Sequence, residues 1–67
     1  MKITVNGEFR HFEEPLSIAG LLVSLGVAGS KVAIECNLEI VPKSAYETIK
    51  LRDGDRIEIV HFIGGGA

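Results

Sequence analysis

The chain is poor in cysteine, lacks tryptophan and has no excess of positive charge. One cysteine, Cys36, occurs among 67 residues, and tryptophan is absent. A single cysteine cannot form an internal disulfide, which excludes the disulfide-stapled class of small secreted folds and favours a cytoplasmic location. Seven basic residues against nine acidic ones give a net charge of −2, so the chain lacks the basic surface with which proteins bind nucleic acid or anionic lipid. We expect its partners to be proteins.

Long hydrophobic runs are also missing. The longest weakly polar stretch, residues 18–29, falls short of the roughly 20 residues that a membrane-spanning helix requires. Met1-Lys2-Ile3 leads at once into alternating polar and apolar residues, without an apolar signal core. We therefore expect no membrane span and no secretion signal. What is present, 46% hydrophobic and 24% charged residues, is ordinary for one small compact domain.

Turn and cap residues divide the first half of the chain. Asn6-Gly7 is the dipeptide favoured in tight hairpin turns, and it separates two predicted strands. The second strand, over 8–13, should contain a bulge or end early, because its two phenylalanines break the alternation. A helix is predicted between a Ser17 N-cap and a Gly26 C-cap, with Gly29-Ser30 as a following loop. Its apolar stripe is Ile18, Leu21, Leu22 and Leu25.

The second half is predicted to hold short elements separated by turns. They are a buried strand over 32–36, a turn at Asn37, an edge strand at 40–41, a helical turn within 42–47, a turn at Asp53-Gly54-Asp55 and a last strand over 56–62. A mixed sheet packed on one main helix is the simplest way for this order to bury the helical stripe. The sequence thus predicts an α+β domain of the β-grasp type over residues 1–62.

The chain ends in an unusual segment, where a β-prone strand gives way to Gly64-Gly65-Gly66-Ala67. Glycine loses the most freedom on ordering, so residues 63–67 are predicted to form a flexible tail. Extended, residues 63–66 would reach roughly 13 Å into a narrow channel. Without side chains, the terminal carbonyl would be open to attack, so the tail looks like a substrate for another enzyme. The plain alternatives, disordered glycines without function or a remnant of cloning, stay open at this point.

Segments spread over the whole chain match one known family. They are Ile3-Thr4-Val5-Asn6-Gly7, Val32-Ala33-Ile34-Glu35 with Asn37, Ile40-Val41-Pro42-Lys43-Ser44, Asp53-Gly54-Asp55, Ile57-Glu58-Ile59-Val60 and the glycine tail. In this order and spacing they resemble the ThiS family of sulfur carriers in thiamine biosynthesis, which share the ubiquitin fold. The resemblance covers the chain essentially from end to end.

This resemblance implies a carrier that catalyses nothing itself and binds no cofactor. An adenylyltransferase related to ubiquitin-activating enzymes would use ATP and magnesium to adenylate Gly66, with Gly64 and Gly65 entering its active site. Sulfur from a cysteine desulfurase persulfide would then displace AMP and leave a thiocarboxylate. Thiazole synthase would consume that sulfur.

The last residue departs from the family pattern. Family members work with a terminal glycine, whereas this chain ends in Ala67, so the resemblance implies a protease that removes Ala67 first. Among related carriers such an ending is associated with a methionine or homocysteine route, and that assignment stays open beside thiamine. Two further rivals are the small subunit of molybdopterin synthase and a β-grasp module that binds a partner passively.

Three apolar residues beside the tail are candidates for docking. Val60 and Phe62 should point away from the face that carries Ile57 and Ile59, and with Ile63 they would form a docking patch. The alternative is simple hydrophobic overflow.

The remaining reactive residue types have plainer roles. Cys36 is interpreted as a structural thiol, since no basic neighbour in sequence would lower its pKa. His11 and His61 lack ligand-like spacing, and no metal site is predicted.

Overall fold

Five strands and one α-helix make up residues 1–62, the part of the chain that the structure, a computed structural model, describes. The strands are β1 Lys2–Val5, β2 Glu8–His11, β3 Val32–Cys36, β4 Glu39–Val41 and β5 Arg56–His61. Helix α1 is Ile18–Leu25, and two 3-10 turns occur at Gly29–Lys31 and Lys43–Ala45. The predicted tail, residues 63–67, lies outside the described residues, so the division of the chain at residue 62 stays a prediction.

The β1–β2 hairpin forms at the predicted turn. Asn6 and Gly7 have φ angles of 51° and 84°, the left-handed conformation that Asn-Gly adopts at low cost. Pairing runs without interruption from Lys2 with His11 to Val5 with Glu8. Of the two outcomes predicted for the second strand, the structure therefore shows the early end, at His11.

Helix α1 begins and ends at the predicted caps. The Ser17 Oγ accepts a hydrogen bond from the Gly20 amide at 3.0 Å, which satisfies one of the unpaired N–H groups of the first turn. Gly26 closes the helix with a φ of 71°. Three residues of the predicted stripe are fully buried (Ile18, Leu21 and Leu22), and Leu25 packs against the core from its edge.

The sheet has the order β2-β1-β5-β3-β4 and is mixed. Strands β1 and β5 are parallel, while the pairs β1–β2, β3–β5 and β3–β4 are antiparallel. The predicted α+β, β-grasp architecture is confirmed. Strand β4 lies at an edge, as expected for the segment before Pro42.

The core lies between the helix and one face of the sheet. Its buried members within residues 1–62 are Ile3, Val5, Ile18, Leu21, Leu22, Val32, Ile34, Val41, Tyr46, Leu51, Ile57 and Ile59. Burying one such aliphatic side chain stabilises the fold by about 1.5–3 kcal/mol before entropy is counted. The other sheet face has no covering layer among the described residues.

That open face corrects one prediction about β3. The sequence predicts a buried strand, but only Val32 and Ile34 of its five residues are buried, because alternate residues point to the two faces.

Two smaller differences between prediction and structure concern other elements. Gly29 and Ser30 begin a 3-10 turn instead of a loop, and β5 ends at His61, one residue before Phe62.

The Asn6 side chain extends the parallel pairing of β1 with β5. Its Oδ1 accepts a hydrogen bond from the Ile59 amide at 2.7 Å, and its Nδ2 donates to the Ile59 carbonyl at 3.2 Å. The Asn6 amide itself donates to Ile57 O at 2.9 Å. A side-chain amide thus continues the ladder where the backbone of β1 turns away into the hairpin.

We predict that Asn6→Ala lowers the free energy of unfolding by about 2–4 kcal/mol, because it leaves both polar groups of Ile59 unpaired and places a Cβ residue in the left-handed region. Asn6→Gly loses the same bonds without the backbone strain, so it should be the less damaging variant by about 1 kcal/mol. Urea unfolding of both variants measures this difference. A glycine variant as stable as the wild type would show that the side-chain bonds contribute nothing.

Candidate functional site

The candidate site is the end of β5, where the chain leaves the sheet. Strand β3 pairs with β5 as far as Val32 with His61, and the Phe62 amide then donates to Lys31 O at 3.0 Å. The β1 register, by contrast, covers only Arg56 and Ile57. His61 and Phe62 are therefore held on the β3 side.

Val60 and Phe62 are both exposed at this end of the sheet. Their exposed fractions are 58% and 55%, whereas Ile57 and Ile59 are buried. Val60 lies opposite Ala33 on the open face of the sheet. Both positions are accessible to a partner, but their docking role stays a prediction. The other predicted site residues lie outside the described residues: Ile63, Gly64, Gly65, Gly66 and Ala67.

Acidic side chains occupy the middle of the open face. Glu35 and Glu58 lie directly opposite each other on β3 and β5, an arrangement of like charges that disfavours the sheet. The Arg56 Nε lies 3.9 Å from the Glu58 Oε2 and offsets part of this repulsion. Ile40, paired with Glu35 on the other side, is 76% exposed. The face therefore joins an acidic centre to exposed apolar side chains.

Lys43 is the neighbour of this site that reasoning from the sequence missed. Its Nζ donates to Val32 O at 2.8 Å and to Gly29 O at 3.1 Å. The same ammonium lies 5.2 Å from the centre of the Phe62 ring. In the sequence, Lys43 stands out only as part of a segment after Pro42 that matches the family. Its contacts could not be predicted, because the residues it contacts are distant in sequence.

The Cys36 thiol is partly buried on β3. Burial raises its pKa above the ordinary value, and the nearby negative charges of Asp55 and Glu39 raise it further. A raised pKa leaves less thiolate at neutral pH, and the thiolate is the nucleophilic form. This environment agrees with the interpretation of Cys36 as a structural thiol.

The acidic turn before β5 uses its carboxylates as hydrogen-bond acceptors. Asp53 Oδ1 accepts from the Lys2 amide at 2.7 Å, and Asp55 accepts from the Arg52 amide at 2.8 Å and from Asn37 Nδ2 at 3.0 Å. Gly54 has a φ of 89°, as the turn requires. The carboxylate oxygens of Asp53 and Asp55 thus accept hydrogen bonds within the fold, as expected for a turn.

Residues 1–62 contain no cluster of three or more His, Cys, Asp or Glu side chains that could hold a metal ion. In the same part of the chain, α1 is too short to cross a membrane, and no other helix has the length or apolar character to do so.

Within residues 1–62, one α-helix over a five-stranded mixed sheet, with an exposed end on the central strand β5, defines a domain of the β-grasp class. The ThiS family model matches residues 3–66. The chain therefore belongs to the ThiS family, and the resemblance inferred from the sequence is confirmed.

Curated relatives differ widely in length. Over 67 residues the chain is 54% identical to the "Thiazole synthase" of Paramagnetospirillum magneticum, but it spans only 21% of that protein. It is 46% identical over 50 residues to the "Sulfur carrier protein ThiS" of Bacillus subtilis, covering 75% of this chain and 76% of that protein. The chain thus resembles both a carrier and a segment of a much longer protein.

A solved structure agrees with the fold. The crystal structure of the thiamine biosynthesis protein ThiS from Geobacter metallireducens superposes with a TM-score of 0.85 at 36% sequence identity. The superposition covers 98% of this chain and all of the other.

For Cys36 we predict slow alkylation by iodoacetamide at neutral pH, with a rate that keeps rising beyond the pH at which an ordinary thiol levels off. Glu39→Gln removes a negative charge that disfavours the thiolate, so it should lower the pKa and increase the rate at pH 8. Glu47→Gln, the same change at another exposed glutamate, should leave the rate unaltered. A rate already level at pH 8 in the wild type would contradict the raised pKa.

Proposed function

We propose that this chain is a sulfur carrier of thiamine biosynthesis that carries sulfur on Gly66, after Ala67 has been removed. The observation that carries the proposal is the family match, which runs through the glycines to Gly66 and stops before Ala67. The printed names of the Bacillus and Geobacter relatives support the sulfur-carrying role and the thiamine route.

The proposed chemistry begins with the Gly66 carboxylate that removal of Ala67 would expose. The Gly66 carboxylate attacks the α-phosphorus of ATP and releases pyrophosphate, and the resulting acyl-adenylate has AMP as a good leaving group. A persulfide sulfur then attacks the carbonyl carbon and AMP departs. A thiol reduces the resulting acyl disulfide, which leaves the thiocarboxylate on Gly66 and a disulfide as the oxidised product.

Other enzymes would perform each of these steps. The partners are an adenylyltransferase related to ubiquitin-activating enzymes, which uses ATP and magnesium, a cysteine desulfurase as the sulfur source and a protease for Ala67. Thiazole synthase is proposed as the acceptor. Similarity to part of the Paramagnetospirillum and Magnetococcus marinus proteins of that name supports this choice, since a carrier-like segment and its acceptor would then occur in one chain. We expect all of them in the cytoplasm.

Docking is proposed at the exposed end of β5. Val60 and Phe62, with Ile63 beyond them, would bury apolar surface against the activating enzyme and the acceptor. The opposed Glu35 and Glu58 carboxylates beside them favour a partner with a basic side chain, because such a contact relieves the repulsion between them.

The intact mass of the protein from its native cells tests carriage of sulfur. A non-reducing preparation should yield a species that lacks Ala67 and is heavier than the Gly66 acid by about 16 Da, the difference between sulfur and oxygen in a thiocarboxylate. A homogeneous mass that retains Ala67, in cells making thiamine, would instead favour a passive β-grasp binding module.

Val60→Lys tests the docking patch. It should reduce kcat/KM for adenylation by about tenfold, because a charge replaces an apolar contact that the partner must desolvate. The matched control is Val23→Lys on α1, where the side chain is 79% exposed. The control should change kcat/KM less than twofold. Equal effects of the two variants, at equal stability in urea, would exclude Val60 from the interface.

A further inference from the structure

Lys43 lies where four segments of the chain meet. It belongs to the 3-10 turn after β4, and its ammonium bonds the carbonyls of Gly29, before β3, and of Val32, at the start of β3. The rings of Phe62 and Tyr46 lie 5.2 and 5.8 Å from the same nitrogen. An ammonium has three N–H donors, so two carbonyls occupy two of them and leave one for the aromatic rings.

No carboxylate neutralises this ammonium within the described part of the chain. The ion pairs among residues 1–62 join Arg10 to Glu8 and Arg56 to Glu58. The groups around the Lys43 ammonium are instead carbonyl oxygens and ring faces, whose partial negative charge offsets part of its positive charge. Such acceptors have fixed directions, so the ammonium has a defined place near the end of β5.

The contact with Phe62 matters because Phe62 directly follows His61, the last residue of β5. The Phe62 backbone is held by its bond to Lys31 O, and its ring is held by Lys43. Tyr46, the other ring beside the ammonium, is only 7% exposed and belongs to the core. Phe62 is therefore tied through Lys43 to a rigid part of the molecule, although 55% of the residue is exposed.

We infer that Lys43 is a positioning residue for the carrier reaction: by holding the Phe62 ring it fixes the place of that ring in the proposed docking surface at the end of β5. The inference rests on the proposed function. Phe62 belongs to the proposed docking surface at the end of β5, so loss of the Lys43 contact would let its ring rotate away from the place that a partner contacts. Ordering that ring again on binding costs free energy, so the activating enzyme would bind the variant more weakly.

Kinetics of adenylation test the inference with Lys43→Met, Phe62→Leu, the double variant and the control Lys50→Met. Methionine keeps the apolar stem and removes the charge, and Lys50 is another exposed lysine. With chains ending at Gly66 and their activating enzyme, ATP–pyrophosphate exchange gives kcat and KM. We expect Lys43→Met and Phe62→Leu each to lower kcat/KM by about two- to fivefold. The double variant should be no worse than the poorer single variant, and Lys50→Met should match the wild type.

Amide hydrogen exchange of the full chain gives a second readout that needs no enzyme. The Phe62 amide should exchange about two- to fivefold faster in Lys43→Met than in the wild type, while core amides of α1 keep their rates. Lys50→Met should leave the Phe62 amide unchanged. Acceleration of all amides together would indicate a role in global stability alone.

The outcomes separate this inference from the proposed function. A wild-type chain that is never adenylated would refute the carrier role, and exchange at Phe62 would still decide whether Lys43 holds the strand end. Normal adenylation of the wild type with unchanged kcat/KM in Lys43→Met would overturn the positioning role. Independent, multiplicative losses in the double variant would also overturn it, because Lys43 would then not act through Phe62.

Discussion

The parallel pairing of β1 with β5 is the constraint on which the rest of the structure depends. It places β5 in the centre of the sheet, between β1 and β3. Backbone pairing covers only Thr4 with Arg56 and Val5 with Ile57, and the Asn6 side chain supplies the next two bonds. The central strand β5 is thus held by β1 at its start and by β3 from Ile57 to His61.

This arrangement explains how a rigid fold can present an accessible strand end. Ile57 and Ile59 anchor β5 in the core, while Val60 faces solvent on the uncovered side of the sheet. Phe62 follows directly, held by Lys31 O and by the Lys43 ammonium. Anchoring and exposed residues alternate along one strand, so Val60 is accessible without disturbance of the core.

Features governed by neighbouring residues could be predicted from the sequence. The Asn6-Gly7 turn, the Ser17 N-cap and the Gly26 C-cap each depend on chemistry within a few residues, and the structure has all three where they were expected. The helical stripe and the alternation in β5 likewise follow from the fixed periods of helix and strand. Family membership could also be predicted, because the short segments that match the family occur in the family's order and spacing.

Contacts between residues that are distant in sequence could not be predicted and were found in the folded structure. Lys43 bonds carbonyls 11 and 14 positions away, and nothing in its local sequence indicates the Phe62 ring beside it. The sheet order, the open face that leaves β3 half exposed and the opposed glutamates on β3 and β5 are of the same kind. The five strands and the helix could be predicted from the sequence, since local backbone preferences are encoded residue by residue. The arrangement of these elements depends on how they all pack together, because the burial of apolar surface stabilises the core as a whole.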